Sequence, residues 1–298
     1  MRLARISHTV VAAFLSCLAL AANAEPIKVV ASFSILADLA RNTGSDRVEV
    51  VSVIGPEADP HGYEPKPSDA RKLAGATVLI VNGLGLDGWI DRLAQASGFH
   101  GVRVVASAGT APILHGQNAD PHAWQSVPNA IAYVGNIADG LIKAQPADAD
   151  ALRMTAESYT VKLRALNEEV RRLLEPIPAE RRRVVVPHRA FDYFGREYGL
   201  EFLAPLGTNA DAEATGSEMA SLVAALRRGE TRAIFSEHLE DRRIVDGIAA
   251  EAGLPVSGEL YSDCLSAPGG PAATYIDLIR HNAKIIAQTL MPAAALHP

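Results

Sequence analysis

Short β-branched apolar runs alternate with longer stretches of helical period along most of this chain. IKVVAS (27–32), VEVVSVI (48–54), TVLIVNG (77–83) and VRVVAS (102–107) read as strands. After a long interval come RVVVP (183–187), LEFLAP (200–205), RAIFSE (232–237) and LPVSGEL (254–260). Runs of this length with helical pattern between them predict right-handed βαβ units and parallel sheets. Their grouping, four and then four, predicts two α/β lobes, each with a roughly four-stranded parallel sheet flanked by helices.

The interval between the groups holds the most regular pattern. Between Pro146 and Pro176, apolar residues recur at Leu152, Ala156, Tyr159, Leu163, Leu166, Val170 and Leu173. Steps of four and three put them on one helix face. About 26 residues at roughly 1.5 Å each make a rod near 40 Å, long enough to run beside both lobes. A coiled-coil segment would show similar steps. A single stripe between two α/β halves reads instead as one long rigid helix joining them. The expected division is therefore a leader at 1–24, an N-terminal lobe at 25–146, a linking helix at 147–176 and a C-terminal lobe at 177–298. SDARKL (68–73) and SEMASL (217–222) share serine, acid and leucine at matching offsets, a faint echo of duplicated lobes.

The 298 residues suffice for two modest cores. The first 24 read differently from the rest. Arg2 and Arg5 precede the apolar run VVAAFLSCLALA (10–21), and small residues lead to Ala24. This pattern predicts a cleavable signal for export to the periplasm, cut after Ala24. The run is short for a membrane span. The residues before Cys17 do not match a lipid-attachment pattern, so a soluble product is expected. The formal charge of −6 becomes −8 without the two arginines. An acidic chain with no cationic run argues against nucleic acid or anionic lipid as a partner. Cys264 is then the only cysteine, which excludes an intramolecular disulfide and predicts a buried thiol.

The candidate chemistry lies in the nine histidines. His8 falls in the leader, His297 in the tail, and His100 and His281 in settings that predict exposure. The tetrapeptide ADPH occurs twice, at 58–61 and 119–122, and His188 follows VVVP directly. His61, His122 and His188 thus each follow a proline in a loop beyond a predicted strand, where open α/β sheets gather ligands. The prolines restrict the backbone and lower the entropic cost of aiming each ring. Asp59 and Asp120 could hold the second ring nitrogen of His61 and His122 or simply build turns. Asp263, just past the last strand, offers a fourth donor. Three neutral imidazoles and one carboxylate suit tetrahedral zinc, whereas more oxygen donors would suit manganese.

DPHGYEPKPSD, DPHAW, VVPHRAFDYF and YSDCLS, in this order and with the long helix between the second and third, resemble the metal-binding cluster A-I (cluster 9) solute-binding proteins of bacterial ABC importers. The resemblance covers the whole length and implies two lobes that close on a metal held at His61, His122, His188 and Asp263. Histidine at the third position, as at His188, goes in that family with Zn(II), and a carboxylate there with manganese. The implied role is a periplasmic receptor, monomeric and not an enzyme, that hands Zn(II) to the membrane permease of an ABC transporter. The stretch TAPILHGQNADPHAW is short where many zinc members carry a long His-rich loop. It offers only His115, expected at the surface, and leaves room for a separate periplasmic zinc donor protein. His238 is expected at a surface or interface. The same fold carrying Mn(II) or Fe(II) is one alternative. A secreted zinc hydrolase with three histidines and a bound water is another, disfavoured because no HExxH pair occurs, with Asp192 and Glu64 as its only candidate bases.

Overall fold

A computed structural model describes residues 25–208, 216–231 and 233–292. The predicted leader, Cys17 and His297 lie outside the described residues. The N-terminal sheet is built from β1 (Ile27–Ala31), α1 (Ser34–Gly44), β2 (Val48–Ser52), α2 (Pro67–Ala74), β3 (Val78–Val81), α3 (Ile90–Ser97) and β4 (Val102–Val105). All its strands are parallel, in the order β2-β1-β3-β4, with Val29 paired to both Val50 and Val78. β3 is buried at every position, as a central parallel strand covered on both faces must be.

A small antiparallel hairpin follows, β5 (Leu114–His115) and β6 (Asn118–Ala119), turning at Gly116 with a φ of 64°. It was not evident in the hydrophobic pattern. Next come α4 (Val127–Ala144) and the long helix α5 (Ala149–Leu174), which has 26 residues. Ser126 caps α4 through its hydroxyl, which accepts from the Asn129 amide, and Pro128 fits the first turn. The predicted stripe on α5 is buried from Leu152 to Val170, but Leu174 replaces Leu173 as its last buried member. A period of 3.6 drifts from strict alternation of threes and fours, so over six turns the face moves by one residue.

The second half runs β7 (Arg183–Val185), α6 (Asp192–Tyr198), β8 (Glu201–Leu203), α7 (Gly216–Arg227), β9 (Phe235–Glu237), α8 (Arg242–Ala252), β10 (Gly258–Leu260) and α9 (Tyr275–Leu290). All four strands fall where the sequence predicts them, although Arg232 lies outside the described residues. Their pairing is thinner than in the first sheet. β7 pairs with β8 and β9 with β10, both parallel. Among the described residues the two pairs meet through one isolated parallel bridge, Val185 to Ile234, where the Val185 N–H donates to the Ala233 carbonyl at 2.9 Å. Three-residue strands leave room for little more.

One apolar core runs unbroken from the first sheet through α4 and α5 to Phe235, Leu260 and α9. A smaller cluster of Val185, Leu222, Leu226, Ile234, Val245 and Ile248 lies under α7 and α8. α5 packs on α1, α4 and α9, so it is clamped on several sides rather than spanning open solvent. Tyr275, at the start of α9, is fully buried and donates its hydroxyl to the Trp124 carbonyl at 2.7 Å. Tyr275→Phe deletes that donor inside the core and is expected to cost about 1–2 kcal/mol of stability. Urea denaturation measures it, and an unchanged midpoint would contradict this role for the hydroxyl. Among the described residues, no helix is long and apolar enough to cross a membrane.

Candidate metal centre

Each candidate donor stands just beyond the carboxyl end of a strand or in the loop that follows one. β2 runs into GPEADPH, and the turn carrying His61 is closed by the Asp59 carboxylate, which accepts from the His61 amide at 2.8 Å. The Asp120 carboxylate makes the same bond to the His122 amide at 2.9 Å. The two ADPH repeats therefore fold into the same turn. His122 opens a short 3-10 turn, Ala123–Gln125, that leads into α4. His188 follows β7 with Pro187 between them, and Asp263 follows β10.

The fold brings these four side chains together. One donor atom from each of His61, His122, His188 and Asp263 lies within 4.8 Å of all the others. Asp263 Oδ1 is 3.7 Å from His61 Nε2 and 3.3 Å from His122 Nε2, and Oδ2 is 3.3 Å from His188 Nε2. His61 Nε2 and His122 Nε2 are 3.1 Å apart. Donors at about 2.0–2.1 Å from a central tetrahedral ion stand about 3.3 Å from one another, so this spacing fits a small cation. His122 and His188 are fully inaccessible, and Asp263 is 6 % exposed.

The outer faces of the rings explain their aim. His122 Nδ1 is 2.7 Å from Asp120 Oδ1, and His188 Nδ1 is 2.9 Å from Glu237 Oε2. At His122 this contact is a hydrogen bond that keeps a proton on Nδ1 and turns the Nε2 lone pair toward the centre. At His188 the Glu237 carboxylate lies beside Nδ1 as an ion-pair contact without hydrogen-bond alignment. Asp120 thus both shapes the turn and orients the ring, whereas the structure shows Asp59 bonded only to the His61 backbone. Glu237 was missed in the sequence. It ends β9 beside β7, and nothing in RAIFSE marks it except its place at a strand terminus. Its other oxygen accepts from the His188 amide at 3.2 Å, so it fixes the backbone there and sets its charge beside the ring. Glu237→Gln removes the charge while keeping the shape. It is expected to lower metal affinity about 10- to 100-fold, measured by competition with a chelator. An unchanged affinity would show that Glu237 serves folding alone.

The Asp263 loop is tied to the DPHAW segment. Trp124 Nε1 and Gln125 Nε2 donate to the Ser262 carbonyl at 2.9 and 2.8 Å, and the Ser262 hydroxyl donates to Asp263 Oδ2 at 2.9 Å. Farther along, the Leu265 amide donates to Ser34 Oγ at 3.1 Å and the Glu57 amide to the Leu265 carbonyl at 3.0 Å. Bonds of both kinds cross between the halves around the centre.

The electrostatics follow from burial and charge. Burial pushes the His122 pKa down, but Asp263 and Asp120 outweigh it and hold the ring up at about 9. Against the same burial, Glu237 and Asp263 hold His188 well above its ordinary value. Burial would raise Asp263, yet His122 and His188 keep it well below the carboxylate range. Burial raises Asp59 and pushes Glu240 up to about 7.

Other candidates lie elsewhere. His238 stacks on Tyr261 with ring centroids 4.5 Å apart and faces Glu259 at 3.4 Å. His281 Nε2 is 3.0 Å from the Glu259 carbonyl, and His100 is exposed. Cys264 is free and buried. Glu64 is exposed, and Asp192 faces His115 at 3.1 Å, outside the group of four.

A helix-braced pair of α/β halves with a buried donor cluster between them defines a binding protein whose cleft suits a divalent cation. Comparison with known proteins places it further. The family model described as zinc-uptake complex component A, periplasmic, matches residues 29–289. The manganese-binding lipoprotein MntA of Halalkalibacterium halodurans is 33 % identical, over 87 % of this chain and 87 % of its own. The iron-binding protein YfeA of Yersinia pestis is 32 % identical, over 89 % and 87 %. Among solved structures, the periplasmic zinc binding protein TroA from Treponema pallidum superposes with a TM-score of 0.84 at 27 % identity. That match covers 90 % of this chain and all of the other. The chain belongs to this family of periplasmic metal-binding components of ABC importers, which are transport proteins and not enzymes. Its partner is accordingly a membrane permease, and its ligand a divalent metal ion.

Proposed function

We propose that the cargo is Zn(II), held by His61, His122, His188 and Asp263 and released to the permease of a zinc importer. The observation that carries this reading is the donor chemistry: three imidazole nitrogens and one carboxylate converge, with two of the rings backed by carboxylates. Nitrogen-rich sets of four suit zinc, while manganese favours more oxygen donors. Four protein donors close the shell, which suits capture and delivery. His61 and His122 come from an N-terminal lobe taken as 25–146, and His188 and Asp263 from a C-terminal lobe taken as 177–298. The linking helix, within 147–176, limits how far the two can separate. Parting them breaks two bonds to the ion at once, so docking that opens the cleft speeds release. The chain acts as a monomer in the periplasm after cleavage at Ala24, and a separate donor protein supplies its zinc.

A second reading keeps the site and changes the ion to Mn(II) or Fe(II). The names of MntA and YfeA favour it. Competition decides between them. With both ions buffered at equal free concentration, zinc is expected to occupy nearly all of the protein. Retention of manganese or iron under those conditions would overturn the zinc reading, and failure of any of these ions to bind would overturn the site.

A further inference from the structure

Behind His122 lies a second group of metal-ligating side chains that the four-donor centre does not use. His115 Nε2 is 3.1 Å from Asp192 Oδ2 and 3.8 Å from Asp120 Oδ2, and one donor atom from each of the three lies within 4.8 Å of the others. Asp120 is wholly inaccessible. Its Oδ1 is taken by His122, while its Oδ2 is buried with no hydrogen-bond partner. His115 Nε2 is likewise buried and unpartnered, because its approach to Asp192 lacks hydrogen-bond alignment. Two orphaned polar atoms in one buried spot carry an uncompensated desolvation cost, and a cation between them would remove it.

We propose that His115, Asp120 and Asp192 form a second, weaker divalent-cation site that shares Asp120 with the four-donor centre. One imidazole and two carboxylates suit a first-row transition ion, and three protein donors leave positions for water, which makes the ion labile. Arg189 Nη1 also reaches Asp192 Oδ2, at 3.4 Å, and its charge further limits the affinity. The frame is well held. The Tyr193 hydroxyl donates to the Asp120 carbonyl and accepts from the Ile113 amide, both at 3.0 Å, so α6 and the β5–β6 hairpin are fastened together. His115 and Asp120 come from the first half and Asp192 from the second, so an ion here bridges the halves. A cation on Asp120 Oδ2 also draws charge from the oxygen that orients His122, so occupancy of the weak site lowers the affinity of the tight one. The inference goes beyond the transport reading and requires only that a divalent ion be present.

The test is a calorimetric titration of the untagged protein with zinc alone, in wild type, His115→Ala and Asp192→Asn. Wild type is expected to bind two equivalents, the second more weakly. Each variant is expected to lose the second and keep the first at unchanged affinity. Asp192→Asn preserves side-chain shape, and equal thermal midpoints for metal-free wild type and variant establish that it folds. A single equivalent in wild type that persists unchanged in His115→Ala and Asp192→Asn, or a second one surviving in both variants, would overturn the site. A wild type showing only the weak, His115-dependent event would support this site while refuting the four-donor reading.

Discussion

Asp263→Asn is expected to weaken zinc binding by two to three orders of magnitude. Structural zinc sites of four ligands bind with roughly 10–16 kcal/mol, so an average ligand supplies about 2.5–4 kcal/mol, and each 1.4 kcal/mol is a factor of ten. Asp263 is the only carboxylate among the four and the one group that faces all three imidazoles. Asparagine keeps a carbonyl oxygen there but removes the charge that balances the ion. The variant retains the Trp124 and Gln125 bonds to the Ser262 carbonyl, which do not involve the substituted group, so the loop stays in place. Competition against a chromophoric chelator measures the loss. Near-wild-type affinity would remove Asp263 from the ligand set and, with it, the reason for the cleft.

Metal affinity should also rise steeply with pH, over a window higher than free histidine would suggest. From residue type alone the window would centre near roughly 6.5. In the folded protein, burial lowers His122 but Asp263 and Asp120 lift it to about 9, and His188 is likewise raised. Near neutrality the cation must therefore displace protons from rings that the surrounding carboxylates keep charged. The logarithm of the affinity climbs from pH 7 with a slope near one released proton per titrating ring and flattens as pH passes about 9.

The stability of the metal-free protein moves the opposite way. A raised histidine pKa contributes stability that is fully present below the unfolded value of about 6.5 and is lost as pH rises through about 9. Glu240 acts in the same direction at the lower end of this range: burial raises its pKa from about 4.5 to about 7, so its contribution falls as pH climbs toward about 7 and is level above it. The depressed Asp263 remains ionised throughout, so its contribution does not change across this range. Thermal midpoints of chelator-treated protein from pH 6.5 to 9 should fall while zinc affinity rises. If both stay level, the carboxylates do not control these rings.

Much of this fold is legible from local pattern. All eight predicted strands appear, and the α5 stripe holds for six of its seven members before the face drifts to Leu174. β-branched runs and steps of three and four reflect backbone geometry within a few residues, and the chain carries that information directly. The hairpin at 114–119 escaped because two-residue strands have no period to read. The thin joint between the β7–β8 and β9–β10 pairs escaped because bridge register is decided across distant segments.

The donors show the same division. Repeated ADPH and the proline before each histidine identify three rings, because proline and Asx turns act locally. Glu237 has no such marker; it matters only because β9 lies next to β7 and sets its carboxylate against His188 Nδ1. His115 reads as a surface loop residue until α6 brings Asp192 within 3.1 Å. By itself, then, the sequence determined the elements, the order of the strands along the chain and the residues able to bind a cation, since these depend on neighbours in the chain. Only the tertiary structure decided which carboxylates back which rings, how strongly the rings hold protons, and that Asp120 faces two clusters. Those properties depend on distance and burial between groups far apart in sequence, and electrostatic energy follows separation in space.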